Sequence, residues 1–356
     1  MAKRNVDNLR IKRKYLVWLK DAKGFSDATI DKAAASMDRY EAYVKGTDFR
    51  GFHVEKARGF KRHLTTVRNE KTRAPLANGT IDGALRDLKA FFGWLADQSG
   101  YRSRIRHADA AYFTPDRKSS RAAHGGCWKP HPPPEQVLHV LSRMPAETVF
   151  QRRDRALIAF LFLTASREGA AITIRLNHVD LATRCVHFDA RSVDTKAGKS
   201  FTTGFYPVGE MPERILSDWI AELRRDHLWG PTDPLFPKAK VGCGASGGFQ
   251  AIGLDRAPWA SASKLATIFK EAFRATGLPP FSPHRVRDTV AEMARDFCRT
   301  PEEYKAWSQN MGHENALTTF MSYGSVAPGR QNEVIRFLGR RGPLARDAGT
   351  DLIEPL

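Results

Sequence analysis

The sequence predicts a mainly α-helical protein with a small antiparallel β-sheet (an α+β fold) in two domains. Apolar residues recur at helical spacing through the N-terminal third, and again through most of residues 135–311. Between residues 185 and 206 the spacing changes to that of β-strands. A segment rich in proline and glycine separates the two helical parts, at residues 113–134.

Residues 8–112 are expected to form a small helical domain. Apolar residues share one helical face near its start: Ile11, Tyr15, Trp18 and Leu19. A clearer helix is predicted from Thr80 to Trp94, with Thr80 as its N-cap. Polar, basic segments separate these helices.

Residues 113–134 are interpreted as a linker, 135–340 as the second domain and 341–356 as a C-terminal tail. The second domain should contain two strands, at 185–188 and 201–206, joined through a hairpin that carries Lys196. Later helices are predicted at 212–225, 261–276, 284–298 and 302–311. The glycine-rich stretch 241–253 is interpreted as an exposed loop between them.

The net charge of +18 points to a polyanionic partner, either nucleic acid or an anionic membrane surface. Residues 1–130 hold 28 Lys+Arg against 14 Asp+Glu, a net +14, and the rest hold 29 against 25, a net +4. Most of the basic charge therefore lies in the N-terminal third. A long basic amphipathic helix, which a membrane-surface protein would use, is not evident.

Composition argues against several classes of protein. The four cysteines are far apart and form no C-x-x-C pair, which argues against a zinc site and a disulfide scaffold. No apolar run approaches the roughly 18 residues of a membrane span, and the first residues lack the apolar core of a secretory signal. We therefore expect a cytoplasmic protein whose polyanionic partner is most simply nucleic acid.

Four local motifs carry residues suited to phosphate chemistry. They are LTASR at 163–167, TKAGK at 195–199, PHRVRDT at 283–289, and MGH at 311–313 with a tyrosine ten residues after the histidine. Taken alone, each has an ordinary structural explanation, such as a capping arginine or a solvated lysine. Spacing i, i+3 places His284 and Arg287 on one helical face.

In this order the motifs resemble the signature of the tyrosine recombinases, or phage integrases. Residues 164–181 resemble the family's T-G-x-R…L-R…D-h-D-L stretch, and 195–199 its T-K-T-G-K hairpin. Residues 283–289 resemble P-H-x-L-R-H/D-T, and residues 312–323 resemble G-H…T-T…Y. The motifs cover about 155–330, and the N-terminal helices resemble the family's core-binding domain.

The resemblance implies six catalytic residues: Arg167, Lys196, His284, Arg287, His313 and Tyr323. Tyr323 would attack a backbone phosphorus and form a 3′-phosphotyrosine, while the two arginines stabilise the charged transition state. Lys196 would be the general acid, with Lys199 as a rival. The two histidines would assist proton transfer or bond the phosphate. No metal or other cofactor is expected, because no third ligand falls at a useful spacing.

Two departures from the family pattern concern the site. The acidic residue expected three places after the first arginine is replaced by Ala170, although Glu168 lies beside Arg167. This leaves the local support of Arg167 open. The interval from His313 to Tyr323 is ten residues, where nine is also common in the family.

The resemblance also implies partners: double-stranded DNA, a homotetramer on paired half-sites and, as an open question, accessory DNA-bending proteins. Two other functions would also involve binding to DNA. One is a type IB topoisomerase, which relaxes DNA without exchanging partners. The other is a DNA-binding regulator that performs no chemistry.

Overall fold

The computed structural model describes residues 5–69, 72–116, 130–243 and 247–313. The chain divides into two compact units, Met1–Gly125 and Gly126–Leu356. Each unit has its own apolar core. The described residues confirm the prediction of a mainly helical fold with small antiparallel sheets.

The first unit is a helical bundle around an aromatic core. The α-helices of its described part are α1 (Val6–Asp21), α2 (Asp27–Tyr43), α3 (Val54–Thr66), α4 (Asn78–Leu95) and the short α5 (His107–Ala110). Tyr40 lies at the centre, with its ring centroid 5.2 Å from that of Phe60 and 5.3 Å from that of Phe92, both edge-on. This edge-to-face arrangement is one that aromatic rings prefer. Phe113, which follows α5, is fully buried in the same core.

Helix α4 begins earlier than predicted. It starts at Asn78, with Ala77 rather than Thr80 at the cap position, and the Ala77 side chain makes no cap hydrogen bond. The prediction of Thr80 as N-cap was wrong, because Thr80 already lies within the first turn.

The second unit is built around α7 (Val149–Thr164), whose residues from Ala156 onward are all buried. A helix that is apolar on every side must be covered on every side. The helices of the described part of this unit are α6 (Pro134–Arg143), α7, α8 (Glu168–Thr173), α9 (Glu210–Arg225), α10 (Ser263–Ala275), α11 (Pro283–Phe297) and α12 (Pro301–Asn310). Helices α9 and α11 both pack against α7.

A three-stranded antiparallel sheet lies beside these helices, in the order β1 (Val179–Asp180), β2 (Cys185–Phe188) and β3 (Phe201–Gly204). Val186 pairs with Val179 on one side and with Thr203 on the other. The rings of Phe188 and Phe201 stack across the two strands, with centroids 4.8 Å apart. The predicted strands are therefore present, although β3 ends at Gly204 rather than at residue 206.

The prediction of a loop at 241–253 was wrong. Strands β4 (Ala239–Cys243) and β5 (Phe249–Leu254) pair there as an antiparallel hairpin. The glycine at 242 has a packing reason, since a Cβ at that position would lie 2.5 Å from Cδ1 of Ile252 on the opposite strand. Glycine here makes room for a cross-strand side chain rather than marking a loop.

Within the described ranges, no helix combines the length and apolar character needed to cross a bilayer.

Candidate active site

Arg287 is the buried centre of the candidate site. Pro283 occupies the first turn of α11, where a proline is tolerated, and Arg287 lies one turn further along. Its side chain is only 6% exposed. Nη1 donates to the carbonyl of Ala165, and Nη2 donates to the carbonyl of Met311 at 2.5 Å. Nη2 also contacts Nε2 of His313 at 2.8 Å. One guanidinium thus joins α11 to two other segments.

The segment after α7 positions Arg167. Ala165 ends that helix in the left-handed region, with φ at 48°, and so turns the chain sharply. Arg167 follows as the N-cap residue of α8, so it stands at the start of a helix. Its guanidinium makes no hydrogen bond or ion pair with any residue in the described ranges. Burial lowers the pKa of this half-buried side chain.

His313 follows the end of α12 through a glycine turn. Gly312 has a φ of 68°, and a Cβ there would lie 3.1 Å from the Phe201 ring, so this close approach favours glycine. Because a guanidinium is only a donor, Nε2 of His313 must accept from Arg287, and the proton of the neutral ring then sits on Nδ1. Burial is the largest cause that lowers the pKa of His313, and the nearby charges of Arg287, Arg167 and Lys196 act in the same direction, so that together they bring it to about 4.

His284 lies at the start of α11 in the same cationic surroundings. Burial lowers its pKa, Asp288 opposes this, and Arg285, Arg287 and Arg167 reinforce it. Asp288 in turn pairs with Arg285 one turn away.

Glu168, the residue after Arg167, directs its carboxyl to the backbone at the start of α11. Burial raises the pKa of this carboxyl, and the backbone N–H of His284, which favours the charged form, offsets this only in part. The carboxyl of Glu168 therefore accepts a hydrogen bond from the backbone at the start of α11. Ala170, at the family's acidic position, is buried in the apolar core.

Lys196 lies in a short 3₁₀ turn, Lys196–Gly198, within the connection between β2 and β3. Its side chain is exposed, yet its charge acts on His313. Lys196 is therefore the lysine that this shift associates with the cluster.

Two contacts that the sequence did not reveal hold the segment that carries Lys196. Oγ of Ser192 is 2.9 Å from Nε2 of His178. Because Nδ1 of His178 accepts from the backbone N–H of Arg175 at 3.0 Å, Nε2 carries the proton and donates to Ser192. His178 is therefore an anchor and not a base. The backbone N–H of Asp194 also donates to Oγ1 of Thr173 at 2.9 Å, which ties the segment to α8.

The structure thus brings together five of the six predicted residues: Arg167, Lys196, His284, Arg287 and His313. The sixth, Tyr323, lies outside the described residues, as does the predicted tail at 341–356. Tyr206, whose negative form would act on Arg287, is buried and donates its hydroxyl to the carbonyl of Trp307 at 3.0 Å. The Tyr206 hydroxyl therefore already has a structural role, as the donor of this hydrogen bond.

The cluster has the electrostatic character of an anion site. Arg287 is desolvated and repelled by Arg167, and its pKa falls to about 10. It stays protonated at neutral pH, so two permanent positive charges lie close together with a third from Lys196. Among the described residues, no group of three histidine, cysteine or acidic side chains is placed to hold a metal ion.

The same fold occurs in solved structures of other proteins. A XerH site-specific recombinase bound to a palindromic difH substrate is 14% identical, with a TM-score of 0.62 over 94% of this chain and 85% of that chain. A lambda integrase dimer bound to a COC′ core site is 12% identical, with a TM-score of 0.61 over 88% and 94%. A Tn1549 transposon integrase in complex with transposon right end DNA is 17% identical, with a TM-score of 0.59 over 94% and 100%.

At these identities the likeness shows the fold, which is that of the site-specific recombinases and integrases. No protein-family profile matches the sequence, and no curated protein matches it.

We predict opposite stability effects for the two arginines. Arg287→Ala should lower the free energy of unfolding by roughly 2–5 kcal/mol, because two buried carbonyls lose their donor. Arg167→Ala should leave stability within about 0.5 kcal/mol of the wild type or raise it, because it removes a repulsive charge that bonds nothing among the described residues. Urea unfolding of both variants measures this, and a large loss in Arg167→Ala would show that Arg167 is a structural residue.

We predict that His313 makes the fold sensitive to acid. Its folded pKa of about 4 lies below the ordinary 6.5, so the unfolded chain binds a proton more readily. Its contribution to stability is therefore complete above pH 6.5 and is lost as the pH falls towards about 4. Unfolding midpoints across this range should decline less steeply in His313→Gln than in the wild type.

The exposed His139 provides the control for this measurement. His139→Gln should decline as the wild type does. Equal slopes in all three proteins would contradict the assignment of the acid sensitivity to His313.

Proposed function

We propose that this protein is a tyrosine-type site-specific DNA recombinase, which cleaves and rejoins DNA through a 3′-phosphotyrosine intermediate. The observation that carries the proposal is the convergence of Arg167, Arg287 and Lys196 with two histidines of lowered pKa. Gathering these charges opposes folding, and an anion between them would relieve the repulsion. A DNA phosphodiester is the anion that the basic chain and the fold both favour.

The two arginines would contribute to phosphate binding in different ways. Arg287 is held rigidly by backbone carbonyls, so its position does not depend on substrate. Arg167 makes no bond with the described residues and can give its planar fork of donors to the phosphate. Both charges are in place before the reaction and face negative charge that grows in the transition state.

The chemistry balances with the residues of the cluster and Tyr323. The hydroxyl oxygen of Tyr323 forms a bond to phosphorus as the bond from phosphorus to the 5′-oxygen breaks. The tyrosine proton passes to His284, whose lowered pKa leaves the ring neutral and able to accept it, and Lys196 gives a proton to the departing 5′-oxygen. His313 donates a hydrogen bond to a non-bridging oxygen. Attack by a 5′-hydroxyl from another strand reverses these steps, so the bond energy is conserved and no ATP is needed.

The first unit would bind the duplex chiefly through its phosphates. Most of the excess positive charge belongs to the first 130 residues, a net +14 from 28 basic and 14 acidic residues. Binding of this kind weakens steeply with salt. We further propose residues 8–112 as the core-binding domain, 135–340 as the catalytic domain and a homotetramer on DNA as the active assembly, since two duplexes must be exchanged.

Covalent trapping tests the proposal. A duplex selected from a randomised library by binding to the protein is given a nick near the cleaved position, so that the short product diffuses away. Without divalent metal, the wild type should form a protein–DNA adduct that survives denaturing electrophoresis, and Tyr323→Phe should form none.

The outcomes of trapping separate the alternatives. Binding without an adduct would favour a regulator that performs no chemistry. An adduct in Tyr323→Phe would move the nucleophile elsewhere. An adduct followed by relaxation of supercoiled DNA, without exchange between two sites, would favour a type IB topoisomerase.

The role of Lys196 predicts rescue by a better leaving group. Lys196→Ala should slow cleavage by about 10²–10⁴-fold, the usual contribution of general acid catalysis. A substrate with sulfur in place of the 5′-oxygen should restore most of this rate. A thiol has a pKa of about 8.5, so the sulfur can depart as a thiolate and needs no proton from Lys196.

Lys199→Ala is the matched control, since that lysine belongs to the same motif. It should cleave both substrates at close to the wild-type rate. Rescue of Lys199→Ala instead of Lys196→Ala would reverse the assignment.

A further inference from the structure

Asn310, the last residue of α12, is bonded to the sheet and not to its own helix. Its Oδ1 accepts from the backbone N–H of Gly204 at 2.7 Å, and its Nδ2 donates to the carbonyl of Gly204 at 2.9 Å. Gly204 ends β3, which is an outer strand of the three-stranded sheet. The side-chain amide thus satisfies the free edge of that strand as a neighbouring strand would.

A third bond ties the backbone of Asn310 to the same strand. The buried hydroxyl of Thr203 donates to the Asn310 carbonyl at 2.9 Å. Three hydrogen bonds therefore fix a single residue to the last two residues of β3. Separating Asn310 from β3 would leave these polar groups without partners, so the contact between α12 and the strand resists displacement.

The end of α12 does not need Asn310 as a cap. Its final carbonyls accept from the backbone N–H groups that follow: Met311 to Trp307, Gly312 to Gln309, and His313 to Ser308. Capping therefore does not explain the side-chain bonds to Gly204.

The residues directly after Asn310 are those that meet Arg287. The Met311 carbonyl accepts from Nη2 of Arg287 at 2.5 Å, and Nε2 of His313 lies 2.8 Å from the same nitrogen. Gly312, between them, turns the chain against the Phe201 ring of β3. The sheet edge, Asn310 and Arg287 thus form a continuous set of contacts that ends at His313.

We propose that Asn310 is a positioning residue that sets His313 against Arg287 by locking the end of α12 to the edge of β3. The catalytic part of this inference rests on the proposed recombinase reaction, while the structural part does not. The hydrogen bonds of the Asn310 side chain go to Gly204 and to none of the five site residues. It acts through Met311 and His313.

The test compares Asn310→Ala and Asn310→Asp with the exposed neighbour Gln309→Ala. The aspartate can still accept from the Gly204 N–H but cannot donate to the Gly204 carbonyl. Asn310→Asp should therefore change the measurements in the same direction as Asn310→Ala. Thr203→Val removes only the third bond and nearly preserves the side-chain shape. This variant keeps the question answerable if Asn310→Ala folds poorly.

Two readouts separate positioning from general loss of stability. In the free protein, the NMR titration of His313, identified with His313→Gln, should move from about 4 towards its ordinary range in the Asn310 variants. On DNA, single-turnover adduct formation should slow by roughly 10–100-fold, the effect of a misplacement of about 1 Å. Duplex affinity should change by less than about twofold, because phosphate contacts elsewhere dominate it.

Gln309→Ala should match the wild type in all three measurements. An unchanged His313 titration and adduct rate in Asn310→Ala would overturn the inference. If the wild type forms no adduct, the recombinase proposal fails, and the titration alone still decides whether Asn310 positions His313.

Discussion

The hydrogen bonding of Arg287 is the interaction on which the rest of the second unit's site depends. Among the described residues, no carboxylate bonds its guanidinium, which is held by the carbonyls of Ala165 and Met311 and contacts His313. These partners come from segments 122 and 24 residues away along the chain. A buried cation satisfied by neutral oxygens keeps its full charge, whereas an ion pair would cancel it. The fold can therefore present positive charge at a place where burial opposes it.

That arrangement explains why several side chains in one region depart from their ordinary titration. Burial is the first cause for Arg287, His284 and His313, and mutual repulsion adds to it. Such perturbed groups cluster where a protein acts on a charged ligand. Stability and function oppose one another here, since the positive charges that would bind a phosphate also repel one another in the folded protein.

Short-range patterns predicted much of this. Helical periodicity predicted α9, α10, α11 and α12, and the four motifs indicated the five residues that the structure brings together. What the sequence could not show depends on distant partners. Ser192 and His178 are 14 residues apart, and Asn310 and Gly204 are 106 apart, so no local pattern connects them. Hairpin β4–β5 was missed because glycine signals a loop by composition, while its packing beneath Ile252 appears only in three dimensions. Tyr323 stays a prediction.

Arg167 and Arg287 are proposed to stabilise the negative charge of a phosphodiester, and a duplex with an uncharged phosphate analogue tests this role. A methylphosphonate at the cleaved position has lost that charge. On the ordinary duplex, Arg167→Ala should form adduct about 10²–10³-fold more slowly than the wild type. On the methylphosphonate duplex this deficit should largely disappear, because an uncharged methyl group replaces the non-bridging oxygen that Arg167 would stabilise. An equal deficit on both duplexes would show that Arg167 does not serve this oxygen.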